Sequence, residues 1–300
     1  MKVIALSAVL AILTSLTAAA DFAEDFQAAK KLLNAKEHQA AYEAFVKLAE
    51  TAPDERGRAP SLSYAAIALA RLDRYDEALE LAKSISPAPM AAYTQMAIMT
   101  EHRKRKELAT AFKDEDIAAW PDEINYKGFF MRGAVRSLSG DRQGALADFE
   151  QCVALAGSDM WMKVEAMERV ASLHHLLGND AKAMAAYRNA LAWYEESPGR
   201  KGRWLFPKTL LGAVHILIEQ KKHDEARKLL DSYADTSGEI RRNSWGFLVL
   251  EAYGDIYAGQ GNKTEALAKY RDALEIQTHQ GYMDRVAEKV EKLQMEKKPQ

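Results

Sequence analysis

The clearest run of apolar and polar positions in the chain reads Leu250-x2-Tyr253-Gly254-x2-Tyr257, then a turn at Gly261, then Ala266-x3-Tyr270-x2-Ala273. Spacings of three and four residues place each set on one face of a helix, so the segment predicts two helices joined by a tight turn. The pattern recurs along the chain. Its most regular marker is the Ala of each second helix, at Ala41, Ala78, Ala145, Ala183, Ala226 and Ala266. A large apolar residue follows four positions on at Phe45, Phe149, Tyr187, Leu230 and Tyr270. The markers are 37, 67, 38, 43 and 40 residues apart, which fits a repeat of about 34 residues with one weak unit and two lengthened connections. Seven hairpins are expected near 22–55, 59–90, 91–121, 126–159, 164–197, 207–240 and 247–280, the third degenerate. A closing helix is expected from about Met283 to Met295.

Small residues mark where the two helices of a hairpin touch: Gly133 with Ala145, Gly254 with Ala266, Ala171 with Ala183, and Ala29 with Ala41. A glycine inside a helix costs about 1 kcal/mol against alanine, so its use at 133 and 254 points to close approach. Turns between helices carry Gly140-Asp141, Gly178-Asn179-Asp180 and Gly261-Asn262, residue types suited to helix ends. The closing helix puts Met283, Val286, Ala287, Val290 and Leu293 on one side, with Asp284, Arg285, Glu288, Lys289 and Glu291 elsewhere. That is the make-up of a cap with a polar outer side, covering the apolar face of the last repeat, with residues 296–300 as a frayed tail.

These motifs resemble the tetratricopeptide repeat family over residues 21–280. The resemblance implies an all-α, right-handed superhelical solenoid of helix-turn-helix hairpins, closed by a capping helix in 281–300. It also implies a non-enzymatic scaffold whose first helices line a concave groove that holds a protein or peptide. Carried over, the groove face comprises Lys127, Phe130, Glu168, His175, Lys208, Leu211, His215, Glu251 and Asp255. The Lys and Asn set with which some family members grip a partner's C-terminal carboxylate has no counterpart at the equivalent positions.

The termini and composition bear on place and partner. Lys2, the apolar run from Val3 to Leu16 and the small residues Thr17-Ala18-Ala19-Ala20 have the make-up of a cleavable signal peptide over 1–20. The expected protein is exported, periplasmic or secreted, with no transmembrane segment after cleavage and with a bacterial envelope as its setting. Asp21 rather than Cys follows the expected cleavage site, which argues against a lipid anchor. A single cysteine, Cys152, excludes an internal disulfide and reads as a small buried thiol. With 41 basic and 43 acidic residues, charge gives no reason to expect nucleic acid. Oligomeric state is left open.

Candidate chemistry is sparse. There is no His-Glu-x-x-His, Gly-x-Ser-x-Gly or Ser-x-x-Lys, so no catalytic residue is assigned. Gly259-Gln260-Gly261-Asn262-Lys263-Thr264 lacks both the spacing and the strand-loop-helix setting of a phosphate loop and reads as a hairpin turn. His174 and His175 point about 100° apart on a helix, so His174 reads as packing. His175 with His215 and an acidic neighbour such as Glu168 is the one arrangement with metal-ligand character. Groove polarity accounts for it more simply, and no metal or cofactor is assigned. The basic turn His102-Arg103-Lys104-Arg105-Lys106 reads as solvated. In the long connection Ser197–Lys208, Arg200, Lys201, Arg203, Trp204 and Phe206 combine cations with aromatics, as interface loops do. The plainer reading has Trp204 and Phe206 plug the seam between hairpins. Besides groove binding, two other functions remain: a structural subunit of an envelope assembly using its convex face, and a metal-dependent enzyme.

Overall fold

The computed structural model describes residues 20–113, 115–196, 205–234 and 243–295. Among them every regular element is helical, as the spacing predicts. The chain divides into two compact units, 1–155 and 156–300. The first holds α1 (20–34), α2 (His38–Thr51), α3 (Glu55–Arg71), α4 (Tyr75–Lys83), α5 (Ala88–Glu101), α6 (Arg105–Ala111), a 3-10 turn at Ile117–Ala119, α7 (Asp122–Leu138) and α8 (Arg142–Leu155). The second holds α9 (Met160–Leu176), α10 (Asp180–Glu195), α11 (Leu205–Glu219), α12 (His223–Ala234), α13 (Ser244–Gly259), α14 (Lys263–Leu274) and α15 (Gln280–Met295).

Consecutive helices pair as antiparallel hairpins because the turns close in one way. In each, one residue takes a left-handed conformation: Lys36, Asp73, Arg103, Gly140, Gly178, Lys221 and Gly261, with φ between 55° and 86°. The next amide then donates to the carbonyl five residues back, as in Glu37 to Leu32, Arg74 to Leu69, Asn179 to His174 and Asn262 to Tyr257. This Schellman-type closure satisfies carbonyls that the helix end would otherwise leave bare. Glycine serves at 140, 178 and 261, where the sequence signals a turn. Lys36, Asp73, Arg103 and Lys221 adopt the same conformation at a cost of about 1–2 kcal/mol each.

The marker alanines at 41, 78, 145, 183, 226 and 266 have no exposed surface, and Phe45, Phe149, Tyr187, Leu230 and Tyr270 are buried beside them. Cys152 is likewise fully buried and forms no disulfide. Gly133 marks a close approach, since a Cβ there would lie 3.1 Å from the Asp148 Cβ and 3.3 Å from the Ala145 carbonyl oxygen. The third hairpin differs from the others. Helix α6 spans only seven residues, and the chain fills the remaining space with Ile117 and Trp120, both buried. Trp120 lies so close to α7 that a Cβ on Gly128 would be 2.6 Å from its ring.

One expectation about α15 needs correction. Its apolar side packs as anticipated, with Val286 fully buried and Met283, Val290 and Leu293 against Phe247, Tyr270 and Ile276. Arg285 and Lys289, however, do not belong to a polar outer side. Both reach back to acidic groups on α13, because a buried carboxylate there needs a cation.

Candidate functional site

In the second unit the first helices α9, α11 and α13, with α15, carry most of the candidate residues. Two buried carboxylates organise this face. Glu168 on α9 is 3% exposed and accepts a 2.6 Å bond from Lys208 Nζ on α11. Glu251 on α13 is 5% exposed, with both its oxygens held by the Arg285 guanidinium and one by Lys289 Nζ at 2.8 Å. Burial works to raise the Glu251 carboxyl, but the hydrogen bonds from Arg285 and Lys289 outweigh it and hold it below the usual carboxylate range. Asp255, one turn further along α13, accepts from Lys289 Nζ at 2.6 Å and from Tyr270 Oη at 2.6 Å. Burial, then the bond to Asp255, pushes the Tyr270 hydroxyl well above the usual phenol range.

Between these pairs lies an open cleft of about 400 Å³. Lys208, Leu211, Val214, His215 and Ile218 of α11 form one wall, Trp245, Leu248, Glu251, Ala252 and Asp255 of α13 the other, and Arg285 and Lys289 the end. The structure thus brings Lys208, Leu211, His215, Glu251 and Asp255 together in one cleft. Glu168 does not line it and is buried under Lys208, so it holds a wall in place and offers no free charge to a ligand.

Other candidates fall differently. Lys127 and Phe130 lie on α7 of the first unit. The Lys127 ammonium sits 5.9 Å and 5.5 Å from the Tyr93 and Tyr126 ring centres, and Phe130 packs edge-on against Phe149 at 5.4 Å. Arg200, Lys201, Arg203 and Trp204 lie outside the described residues. Phe206 is not part of a binding loop: it is inside α11, buried, with its ring 5.2 Å from that of Tyr194. Its side chain packs into the buried cluster that α10 and α11 share, with Tyr194, Leu210 and Val214.

Histidines and acids meet at one edge of the cleft. Nε2 of His175 on α9 is 3.3 Å from a Glu219 carboxylate oxygen, and Nε2 of His215 is 3.0 Å from the other. His175 Nδ1 is 2.8 Å from Asp180 Oδ1, and the second Asp180 oxygen accepts from Gln220 at 3.2 Å. The bonds from His175 and Gln220 hold the Asp180 carboxyl below its ordinary range. The acidic partner of the histidines is therefore Glu219, not Glu168, because Glu168 is already committed to Lys208. Glu219 stands four residues after His215, on the same face of α11, and that spacing was its sequence signal. Trp245, Arg285 and Lys289 carried no comparable signal.

A family model for the tetratricopeptide repeat matches residues 164–197, which take in most of α9 and the whole of α10. The chain carries a tetratricopeptide repeat. Solved structures with this fold extend the likeness beyond that repeat. A tetratricopeptide repeat protein from Parabacteroides merdae aligns over 90% of this chain and 98% of its own, at 13% identity and a TM-score of 0.51. Pseudomonas aeruginosa PilF aligns over 77% of this chain and 97% of its own, at 15% identity and 0.53. A signal transduction ATPase with numerous domains from Pyrococcus horikoshii, which has a tetratricopeptide repeat sensor, aligns over 90% of this chain and 43% of its own, at 11% identity and 0.60. At such identities the likeness is one of fold. No curated protein sequence matches the chain. Among the described residues no helix is long and apolar enough to cross a membrane.

Proposed function

We propose that this tetratricopeptide-repeat chain is a non-catalytic scaffold of the bacterial envelope, exported by its N-terminal segment, that seats a peptide segment of a partner protein between α11 and α13. The cleft carries this reading. Leu211, Ile218, Trp245 and Leu248 present half-buried apolar surface there, while the charges around them are already paired with one another. A partner is then gripped by apolar anchor residues, and the paired charges at the rim select polar neighbours without an excess of either sign. Helices locked by buried ion pairs keep the cleft formed before the partner arrives, so little conformational entropy is lost on this side of the interface. Proteins built from this repeat serve generally as interaction scaffolds, which supports the same reading.

The test is a crosslinked pull-down from an envelope fraction, comparing the wild type with a Leu211→Gln, Leu248→Gln variant of equal melting temperature. The captured segment is then titrated as a synthetic peptide. Capture and peptide binding lost together in the variant support the cleft as the seat. A partner retained by the variant moves the interface to another surface.

A further inference from the structure

We propose that His175, His215 and Glu219 form a binding site for a divalent transition-metal ion, with zinc the best match to the donor set. One ligand atom from each residue lies within 4.8 Å of the other two. Two bonds of about 2.0–2.1 Å meeting at a tetrahedral angle put donor atoms roughly 3.3 Å apart. His175 Nε2 and His215 Nε2 stand 3.3 Å and 3.0 Å from Glu219, close to that spacing, each measured to a different oxygen of the carboxylate.

The surroundings point the same way. A neutral His175 that donates from Nδ1 to Asp180 carries its lone pair on Nε2, and Nε2 faces the Glu219 carboxylate. Two electron-rich groups then face each other, and a cation between them converts that repulsion into two bonds. Asp180, itself held by Gln220, is the carboxylate that orients a metal-binding imidazole and makes it more basic. His215 and Glu219 come from one helix face and His175 from the neighbouring first helix, so helices fix the geometry rather than loops. Two imidazoles and one carboxylate suit zinc and its first-row neighbours, whereas calcium and magnesium favour all-oxygen shells. His215 and Glu219 are 61% and 48% exposed at the side chain, which leaves the remaining coordination positions open to water or to an outside donor.

The proposal does not depend on the peptide reading, and its test does not involve a partner. Zinc chloride is titrated calorimetrically into the untagged, chelator-stripped full chain at neutral pH, with cobalt(II) absorption as a second readout. The expected result is saturable uptake of one ion per chain and a cobalt spectrum with the intense visible bands of four- or five-fold coordination. Uptake is expected to vanish in His215→Ala and in Glu219→Gln and to persist in His279→Ala. Asp180→Asn is expected to weaken it by about 10–100-fold. Both ligand positions are exposed, so the variants should melt with the wild type, which separates lost binding from lost folding. No saturable uptake by the wild type, or uptake unchanged in both His215→Ala and Glu219→Gln, would overturn the proposal.

Discussion

Gly254 shows how little room remains where the helices of a hairpin cross. A Cβ at this position would stand 2.2 Å from Tyr270 Cε1. The ring is not free to swing aside, because its hydroxyl is bonded to Asp255 and Asp255 to Lys289. Replacing Gly254 with Ala gains about 1 kcal/mol of helix propensity, against an overpacking cost of about 1–3 kcal/mol. With a pinned ring the cost wins, and urea unfolding of Gly254→Ala is expected to show a net loss of up to about 2 kcal/mol. Stability equal to or above the wild type would mean that the ring relaxes. The glycine at 254 is legible in the sequence because its contact lies in its own hairpin. Gly212 meets the same constraint, 2.4 Å from Tyr187, but that ring comes from the preceding hairpin across the 197–204 connection, and no local spacing announces it.

At the scale of elements, α15 is more than a lid on the last apolar face. Its apolar stripe was legible from three- and four-residue spacing, whereas the roles of Arg285 and Lys289 were not. Their partners on α13 lie 34 and 38 positions earlier, and long cationic side chains at the edge of a stripe can turn either way. The ion pairs make α15 a structural part of the cleft, since the cations that dock it also form the cleft's end. Arg285→Met leaves the buried Glu251 with Lys289 alone. The expected cost is about 1–3 kcal/mol for a buried acceptor stripped of part of its bonding. In a stacked array each repeat is coupled mainly to its neighbours. Hydrogen exchange in this variant is therefore expected to rise in α15 and the exposed end of α13, with α9 and α10 unchanged. Equal loss of protection throughout the second unit would show that the end helix governs the whole unit. The short α6 makes the same point about legibility. A missing marker alanine revealed a weak third hairpin, yet only the packing shows that Ile117 and Trp120 stand in for the absent turns.

For the molecule as a whole, one buried cysteine and nearly balanced charge leave packing and a few buried ion pairs to set stability and its response to pH. Two carboxyls in the second unit act with opposite sign. Glu251 is held below its ordinary value of 4.5, so its contribution is complete above that pH and is lost as pH falls through its folded value. Arg285 and Lys289 face it from α15, Asp255 from its own helix and Tyr270 from α14. Glu165 is raised by burial, against the pull of Arg169 and Lys208, so its charge costs stability above its folded value and the cost disappears in acid. Glu251 should dominate. Its side chain is 7% exposed with two cations in direct contact, whereas Glu165 is 26% exposed with Arg169 at 3.8 Å. The melting temperature is therefore expected to fall steadily as pH drops below about 4.5. Glu251→Gln should start from a lower neutral value but show a flatter acid limb, because the proton that Glu251 would take up has no group to bind. Glu165→Gln should melt higher than the wild type at neutral pH and fall more steeply in acid, since the offsetting group is gone. An acid limb in Glu251→Gln as steep as the wild type's would place the origin of acid sensitivity in other carboxyls.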